Sequence, residues 1–169
     1  RSDADKAKLS HAFSQFDDVG KRMEALSLKG IQNITQQAFR SQIRSSCDSY
    51  TEMNHSLSEQ QLAEYESVDP FIEGFCASID KQVVQFEKIL YGDGYQDLLL
   101  SVCGEVSRQL ERALLRTTFN RLGALQLDRE LRHLTAYLSG IAGFAAREKC
   151  SRLTQDNYVI AVVPGLKPA

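Results

Sequence analysis

Two Glu-x-x-His pairs are the residues whose types and spacing could do chemistry in this sequence. They are Glu52 with His55 and Glu130 with His133. A helical bundle that carries two such pairs and two further carboxylates can hold two iron or manganese ions, which raises the alternative of a metal-dependent helical-bundle enzyme. However, His133 lies about 120° from the apolar stripe of its helix, and His55 lies beside a polar connector. We therefore interpret both histidines as surface residues, and we expect no metal and no cofactor.

Nucleophilic catalysis is not indicated either. It requires a base held beside Ser or Cys, and the three histidines accompany no nucleophile motif. Gly92-Asp-Gly94 lacks the further glycine and the lysine of a phosphate-binding loop, and it is typical of a turn. The sequence therefore contains no motif that indicates a nucleophile or a phosphate-binding loop.

The cysteines indicate whether the protein is cytosolic or secreted. The four cysteines are widely separated, without a Cys-x-x-Cys pair: Cys47, Cys76, Cys103 and Cys150. We interpret them as reduced thiols of a cytosolic protein. Their even number leaves open a secreted protein with two disulfides, as do the glycosylation patterns at Asn33 and Asn54, although no apolar signal segment follows Arg1.

Arginines form the other patterned group. Arg108, Arg112 and Arg116 recur at four-residue steps, on one side of a helix and about 130° from its apolar stripe. Further arginines extend the basic character: Arg121, Arg129, Arg132 and, in the last turn of the final helix, Arg152. The spacing predicts an exposed ridge. It is either a solvated face, partly paired with Glu105 and Glu111, or a docking face for a protein or an anionic membrane.

Composition limits the class of protein. The 169 residues include 20 Lys and Arg and 22 Asp and Glu, for a net charge of −2, and 43% are hydrophobic. This balance is typical of one compact globular domain, and it excludes a low-complexity disordered chain. Nucleic acid is not an expected partner, because phosphate binding requires an excess of basic residues. The uncharged stretches are too short to span a membrane. Because the chain starts at Arg1, we expect a segment of a longer protein.

The elements that must position these residues are predicted to be helices. Pro70 is the one proline before residue 164, and apolar residues recur at intervals of three and four. The first such seam predicts a helix packed along another helix: Leu9, Ala12, Phe16, Val19, Met23 and Leu26. Gly30 and Ser41 leave the end of that helix uncertain. Residues 56–66 are predicted to be a connector with at most one short helix.

Three further helices complete the prediction. Asp69 and Pro70 indicate a helix start, and Gly92-Asp-Gly94 indicates its end. The next helix is predicted to run from about Tyr95 to Leu122, with a turn at Gly123 and Ala124. Asp128 then caps a last helix that ends near Thr154. We expect an all-α antiparallel bundle of four or more amphipathic helices.

Three segments of the chain carry a family resemblance. They are Thr118-Phe-Asn-Arg-Leu-Gly-Ala-Leu-Gln-Leu-Asp-Arg-Glu-Leu-Arg-His-Leu-Thr-Ala-Tyr-Leu138, Glu64-Tyr-Glu-Ser-Val-Asp-Pro70 and Arg147-Glu-Lys-Cys-Ser-Arg-Leu153. Together they resemble the C-terminal region of the family of fourth subunits of the conserved oligomeric Golgi complex. The resemblance covers most of residues 1–155, and residues 156–169 are expected to diverge from it. We expect residues 1–155 to be a helical-bundle segment and residues 156–169 to be a divergent, disordered tail.

The resemblance implies a function that the residues alone do not. Proteins of this kind are multisubunit tethers built as rods of helical bundles, without a catalytic site. The implied role is peripheral, on the cytoplasmic face of Golgi membranes, where the complex captures vesicles in intra-Golgi retrograde transport. The implied partners are the other subunits of the complex, together with SNARE and other trafficking proteins. A generic cytosolic helical adaptor is the alternative.

Overall fold

The computed structural model describes residues 3–143 and 145–150, and within these ranges the secondary structure is helical, without a strand. The helices are α1 (Asp3–Ile34), α2 (Arg40–Glu52), α3 (Glu59–Ser67), α4 (Ile72–Glu87), α5 (Gly94–Leu114), α6 (Arg121–Ala142) and α7 (Ala145–Lys149). The predicted all-α bundle is confirmed. None of the described helices combines the length and the apolar character needed to cross a bilayer.

Helix α5 occupies the centre of the bundle, because it packs against α1, α2, α4, α6 and α7. Its stripe is fully buried: Leu98, Leu99, Val102, Cys103, Val106, Leu110, Ala113 and Leu114. Contacts along α2 and α5 advance in the same direction, from Arg40 with Glu105 to Asp48 with Arg116, so these two helices run parallel. Helix α6 runs antiparallel to α5 and returns to Gln96, whose amide donates to the Ala142 carbonyl.

Helices α1 and α2 are continuous through a single π turn, Thr35–Phe39. A π turn adds one residue and so shifts the phase of a helix by about 100°. The shift places Phe39 and Ile43 on the same side of the continuous helix as Ile31. All three side chains are buried in the core. The Thr35 hydroxyl lies 3.1 Å from the Ile31 carbonyl oxygen and 2.8 Å from Ser101 Oγ on α5. The helix therefore does not end at Gly30 or Ser41.

The predicted turn between the last two long helices is wrong. Helix α5 ends at Leu114 instead of near Leu122, and α6 begins at Arg121. Asn120 caps α6, because its Oδ1 accepts the Gly123 N–H at 2.7 Å. Asp128, which was predicted to cap, lies within α6 and pairs with Arg132.

Gly123 serves close packing instead of a turn. A Cβ atom at this position would lie 1.8 Å from the His55 carbonyl oxygen. Asn120 joins the same two segments, because its side-chain amide donates to the Leu57 carbonyl and its Oδ1 accepts the Leu57 N–H. A glycine that lets two backbones approach is indistinguishable in sequence from one that makes a turn.

The boundaries of the other helices are closer to the predictions. The Asp69 carboxylate accepts the N–H groups of Phe71 and Ile72 at 2.9 and 2.6 Å, but α4 begins at Ile72 with Phe71 at its N-cap position, so the helix starts later than Asp69 and Pro70 indicated. Helix α6 stops at Gly143, whose φ of 71° few other residues adopt. As a result the helix is interrupted there, and after the break Ala145 is exposed and Ala146 is buried. The predicted end near Thr154 and the tail of residues 156–169 lie outside the described residues.

The first apolar seam differs most from its prediction. Helix α1 was expected to pack along another helix, yet its large seam residues are exposed, from 52% at Val19 to 76% at Phe16. Only the end of α1 contacts the body of the bundle, where Ile31 is buried. No described element covers the seam before residue 28. This apolar face is therefore a surface of the chain.

Candidate interaction surfaces

The predicted arginine ridge lies beside α2. Arg108 and Arg112 are on α5, Arg116 is in the turn that follows, and all three side chains are exposed. Arg108 donates to Glu105 on its own helix. Arg116 Nη2 reaches across to Asp48 Oδ1 on α2 at 2.9 Å. The expected partial pairing of the ridge is thus present at Glu105, and Asp48 is a second acidic partner that the sequence did not indicate.

Helix α2 adds two arginines to this surface. Arg40 lies 3.7 Å from Glu105, and Arg44 lies 3.7 Å from Asp48. We define the basic face as the five arginines on this side of the bundle: Arg40, Arg44, Arg108, Arg112 and Arg116. Two carboxylates, Glu105 and Asp48, compensate these five charges only in part. Sequence reasoning missed the α2 contribution, because the two arginine-bearing segments are more than 60 residues apart.

Glu105 is the buried anchor of the basic face, with 7% of the residue exposed. Burial by itself would raise the pKa of its carboxyl group. Hydrogen bonds from Arg108 and Gln109, and the charges of Arg108 and Arg40, outweigh burial, so the pKa lies below its ordinary value. Glu105 is therefore ionised at neutral pH and fixes the orientation of the guanidinium groups around it.

A groove of about 360 Å³ runs through the basic face. Its walls are Arg44, Asp48, Gln109, Arg112, Leu115 and Arg116, with Cys47 also in the lining. Burial raises the pKa of the Cys47 thiol to about 12, so the groove presents guanidinium groups and no reactive thiolate. Arg112 has no ion-pair partner within residues 3–143 and 145–150. It is the cation of this groove most available to a carboxylate from outside.

Three of the remaining predicted arginines lie on α6. Arg121 is exposed in its first turn. Arg129 donates to the Tyr65 carbonyl of α3, and Arg132 pairs with Asp128 on its own helix at 2.7 Å. Arg152 lies outside the described residues. The basic face is therefore built from α2, α5 and the turn after α5, and the roles of the α6 arginines stay predictions.

The core contains a polar cluster that sequence reasoning did not identify. Tyr50 donates a 2.8 Å hydrogen bond to Glu130 Oε2, and Gln126 Nε2 lies 3.0 Å from both Glu130 Oε1 and Asp69 Oδ2. Glu130 is only 5% exposed, and burial raises its pKa to about 7. Because Asp69 also accepts the N–H of Ile72, the first residue of α4, the cluster connects α2, α4 and α6.

His55 corrects one prediction. It was interpreted as a surface residue, but it is buried, with its ring between the rings of Tyr50 and Phe119 at centroid distances of 4.4 and 4.9 Å. Its Nε2 lies 2.7 Å from the Tyr50 carbonyl oxygen. Burial lowers the pKa of His55 more than this hydrogen bond raises it. His55 is therefore a neutral packing residue that closes the end of α2.

The two Glu-x-x-His pairs do not converge on one site. His133 is exposed, as predicted, whereas Glu130 of the same pair faces the core and Glu52 of the other pair is exposed. Across the described residues, no three His, Cys, Asp or Glu side chains form a metal-ligand group. The geometry that a bundle enzyme with two metal ions requires is therefore not built from these pairs.

Comparison with known proteins assigns the chain to a family. A family described as "Conserved oligomeric Golgi complex subunit 4, C-terminal" matches residues 1–162. The chain is 42% identical to conserved oligomeric Golgi complex subunit 4 of Caenorhabditis elegans over 155 residues, which are 92% of this chain and 19% of that protein. The corresponding human protein is 31% identical over 150 residues, which are 89% of this chain and 19% of that protein.

The relationship extends beyond these two animals. Conserved oligomeric Golgi complex subunit 4 of Drosophila melanogaster is 29% identical over 151 residues, which are 89% of this chain and 20% of that protein. The chain thus spans about one fifth of the length of the curated relatives that it matches. Since the family match includes nearly the whole sequence, the chain belongs to the C-terminal family of conserved oligomeric Golgi complex subunit 4.

Proposed function

We propose that this chain is part of a subunit of a Golgi vesicle-tethering complex and acts in intra-Golgi retrograde transport and Golgi organisation. The observation that carries the proposal is the family match over residues 1–162. The chain would work without catalysis, by protein-protein contacts with other subunits of the complex and with SNARE and other trafficking proteins. Its place would be peripheral, on the cytoplasmic face of Golgi membranes and in the cytosol.

The test is a pull-down from cells that express the full-length parent protein with a tag, combined with proximity labelling. We expect other subunits of a Golgi tethering complex to be enriched at stoichiometric levels. A parent protein that lacks residues 1–162 of this chain is the matched comparison. A generic helical adaptor would enrich proteins without a Golgi association, and that result would contradict the proposal.

The basic face is the surface that we propose for docking. Four of its five arginines are held in place by Glu105 and Asp48, namely Arg40, Arg44, Arg108 and Arg116, so little conformational entropy is lost when these four bind a further carboxylate. A groove lined by fixed guanidinium groups fits acidic side chains of a protein better than it fits the flat surface of a membrane. The proposed partner is therefore an acidic surface on a tethering or trafficking protein.

Arg112→Glu tests this docking role in the parent protein. Arg112 carries no ion pair within the described part of the chain, so the exchange should lower stability only by the small helix-dipole contribution of the last turn of α5, while it repels an acidic partner. We expect capture of the partner to fall about fivefold, or ~1 kcal/mol. Lys81→Glu on α4 makes the same charge change on an exposed position and serves as the control. Equal capture of the protein partner by both variants would contradict docking of a protein here, as would a loss that is confined to the binding of anionic vesicles.

A further inference from the structure

The exposed face of α1 has the repeat of a two-helix interface. Its seam consists of residues at intervals of 3, 4, 3, 4 and 3: Leu9, Ala12, Phe16, Val19, Met23 and Leu26. These are the a and d positions of successive heptads, which place every seam residue toward a single partner helix. Phe13 widens the face at one flank and is itself 66% exposed. A contiguous apolar stripe of this kind on a folded chain marks an interaction site.

The seam lies on a different side of α1 from its contacts with the body of the bundle. Ile31, which is buried, follows Leu26 by five residues and therefore lies about 140° around the helix from it. Along α1, contacts with the body of the bundle begin near Leu28. This residue lines a groove together with Asp97 at the start of α5. About 25 residues of α1 therefore extend beyond α5, a length of about 37 Å. The rigid end of α1 orients this extension without covering its apolar side.

The charges beside the seam indicate the chemistry of the partner. The flanking e and g positions are residues 6, 13, 20 and 27 and residues 8, 15, 22 and 29, and their charged members are all basic: Lys6, Lys8, Arg22 and Lys29. Acidic side chains near the middle of the seam lie on the outer side instead, where Asp17 pairs with Lys21 at 2.6 Å. Interhelical ion pairs at e and g select the partner of a coiled coil. The complementary helix therefore carries Asp and Glu beside its own apolar seam.

A second copy of this chain does not meet that requirement. In an antiparallel pair, the seam would align Leu9 with Leu26, and the flanks would then bring Lys8 close to Lys29 of the other copy. In a parallel pair the basic flanks would meet uncharged residues, because no e or g position of the seam is acidic. Neither arrangement pairs opposite charges.

We propose that residues 3–29 of α1 form a docking surface for one amphipathic helix of a partner protein, whose apolar heptad seam is flanked by Asp and Glu. The surface is separate from the basic face, and the inference goes beyond the proposed function without depending on it. Docking would cover the seam from Leu9 to Leu26 and neutralise the four basic flanking residues.

Two synthetic helices of four heptads test the proposal on the chain of residues 1–169. Both have Leu at every a and d position, and they differ only in carrying Glu or Lys at every e and g position. By fluorescence anisotropy, we expect the Glu peptide to bind about tenfold more tightly than the Lys peptide. That preference should shrink in about 0.5 M salt, because exposed ion pairs are screened.

Variants assign the binding to the seam. Phe16→Glu removes an exposed seam residue and should abolish binding of the Glu peptide with unchanged circular dichroism, whereas Lys21→Glu on the outer side should bind normally. Lys6→Glu, Lys8→Glu, Arg22→Glu and Lys29→Glu made together should reverse the preference toward the Lys peptide. Equal binding of both peptides, binding of neither, or binding that survives in Phe16→Glu would overturn the proposal. A concentration-dependent dimer in sedimentation that Phe16→Glu dissociates would also overturn it, because the occupant would be a second copy.

Discussion

Tyr50 and Glu130, 80 residues apart in the sequence, share a 2.8 Å hydrogen bond between α2 and α6 in the core. Each side chain lacks bulk water, so the phenol and the carboxyl group depend on each other and on Gln126 for hydrogen bonding. Burial raises the pKa of Tyr50 well above its ordinary value, so the phenol stays a donor at physiological pH. The protonation state of the pair is therefore decided at Glu130.

The raised pKa of Glu130 predicts a dependence of stability on pH. With a pKa of about 7 in the native state and an ordinary value of 4.5, the native carboxyl group binds a proton that the unfolded chain has released. The free energy of unfolding should therefore fall as pH rises between these two values, by an amount of order ~3 kcal/mol. Urea titrations from pH 4.5 to pH 7.5 would measure this fall, and Glu130→Gln should flatten it. The exposed Glu24→Gln on α1 is the control, and an equal slope in both variants would contradict the assignment.

His55 should act in the opposite direction. Its pKa is lowered by burial, so the native state binds fewer protons than the unfolded chain as pH falls below the ordinary value of 6.5. This group therefore adds stability that is lost as pH decreases from 6.5 through its native pKa. A two-dimensional NMR titration of the imidazole ring would measure it. We expect a midpoint below 6.5, and a midpoint at or above 6.5 would show that the ring is hydrated in solution.

Two glycines of α6 should respond oppositely to the same change. Gly123→Ala would place a Cβ atom 1.8 Å from the His55 carbonyl oxygen, so backbone must move, and we expect a loss of about 1–3 kcal/mol in the free energy of unfolding. Gly140→Ala meets no atom within 4 Å and should add about 0.5–1 kcal/mol through helix propensity. Chemical denaturation of both variants checks the prediction. Equal effects would mean that α6 does not approach the His55 loop closely.

The four cysteines should react only when the protein opens. All are buried thiols, and burial raises the pKa to about 12 for Cys47, Cys76 and Cys103 and to about 11 for Cys150. Maleimide labelling at pH 8 followed by mass spectrometry should therefore be slow and should accelerate in urea. A Ser10→Cys variant on exposed α1 provides a fast-reacting internal reference. Rapid labelling of any native cysteine would contradict the packing around it.

The helices were predicted from the sequence more accurately than the neighbours against which their side chains pack. Helices α4, α5 and α6 were predicted because apolar residues that recur every three and four residues are typical of a helix with one buried side. The same period misled at α1, since a seam gives no information about whether its partner belongs to this chain. The burial of Glu130 and His55 was not predictable in this way, because it depends on Tyr50 and Phe119 reaching them from distant parts of the sequence.

The basic face was predicted only in part, because the sequence indicated its α5 arginines but not those of α2. The arginines of α5 share one helix face, and a fixed spacing identifies such a face from sequence alone. Arg40 and Arg44 became part of it only through the parallel packing of α2 against α5. Spacing within one helix is local information, whereas the choice of a neighbouring helix is set by the whole core.

The length of α1 beyond the bundle gives the molecule a lever. A sideways pull on the seam region acts over about 37 Å, and the torque is resisted where α1 meets α5. The resisting contacts are the buried Ile31 side chain and the 2.8 Å approach of Thr35 to Ser101, at the first residue of the π turn. A force applied to α1 is therefore transmitted to the core at the π turn.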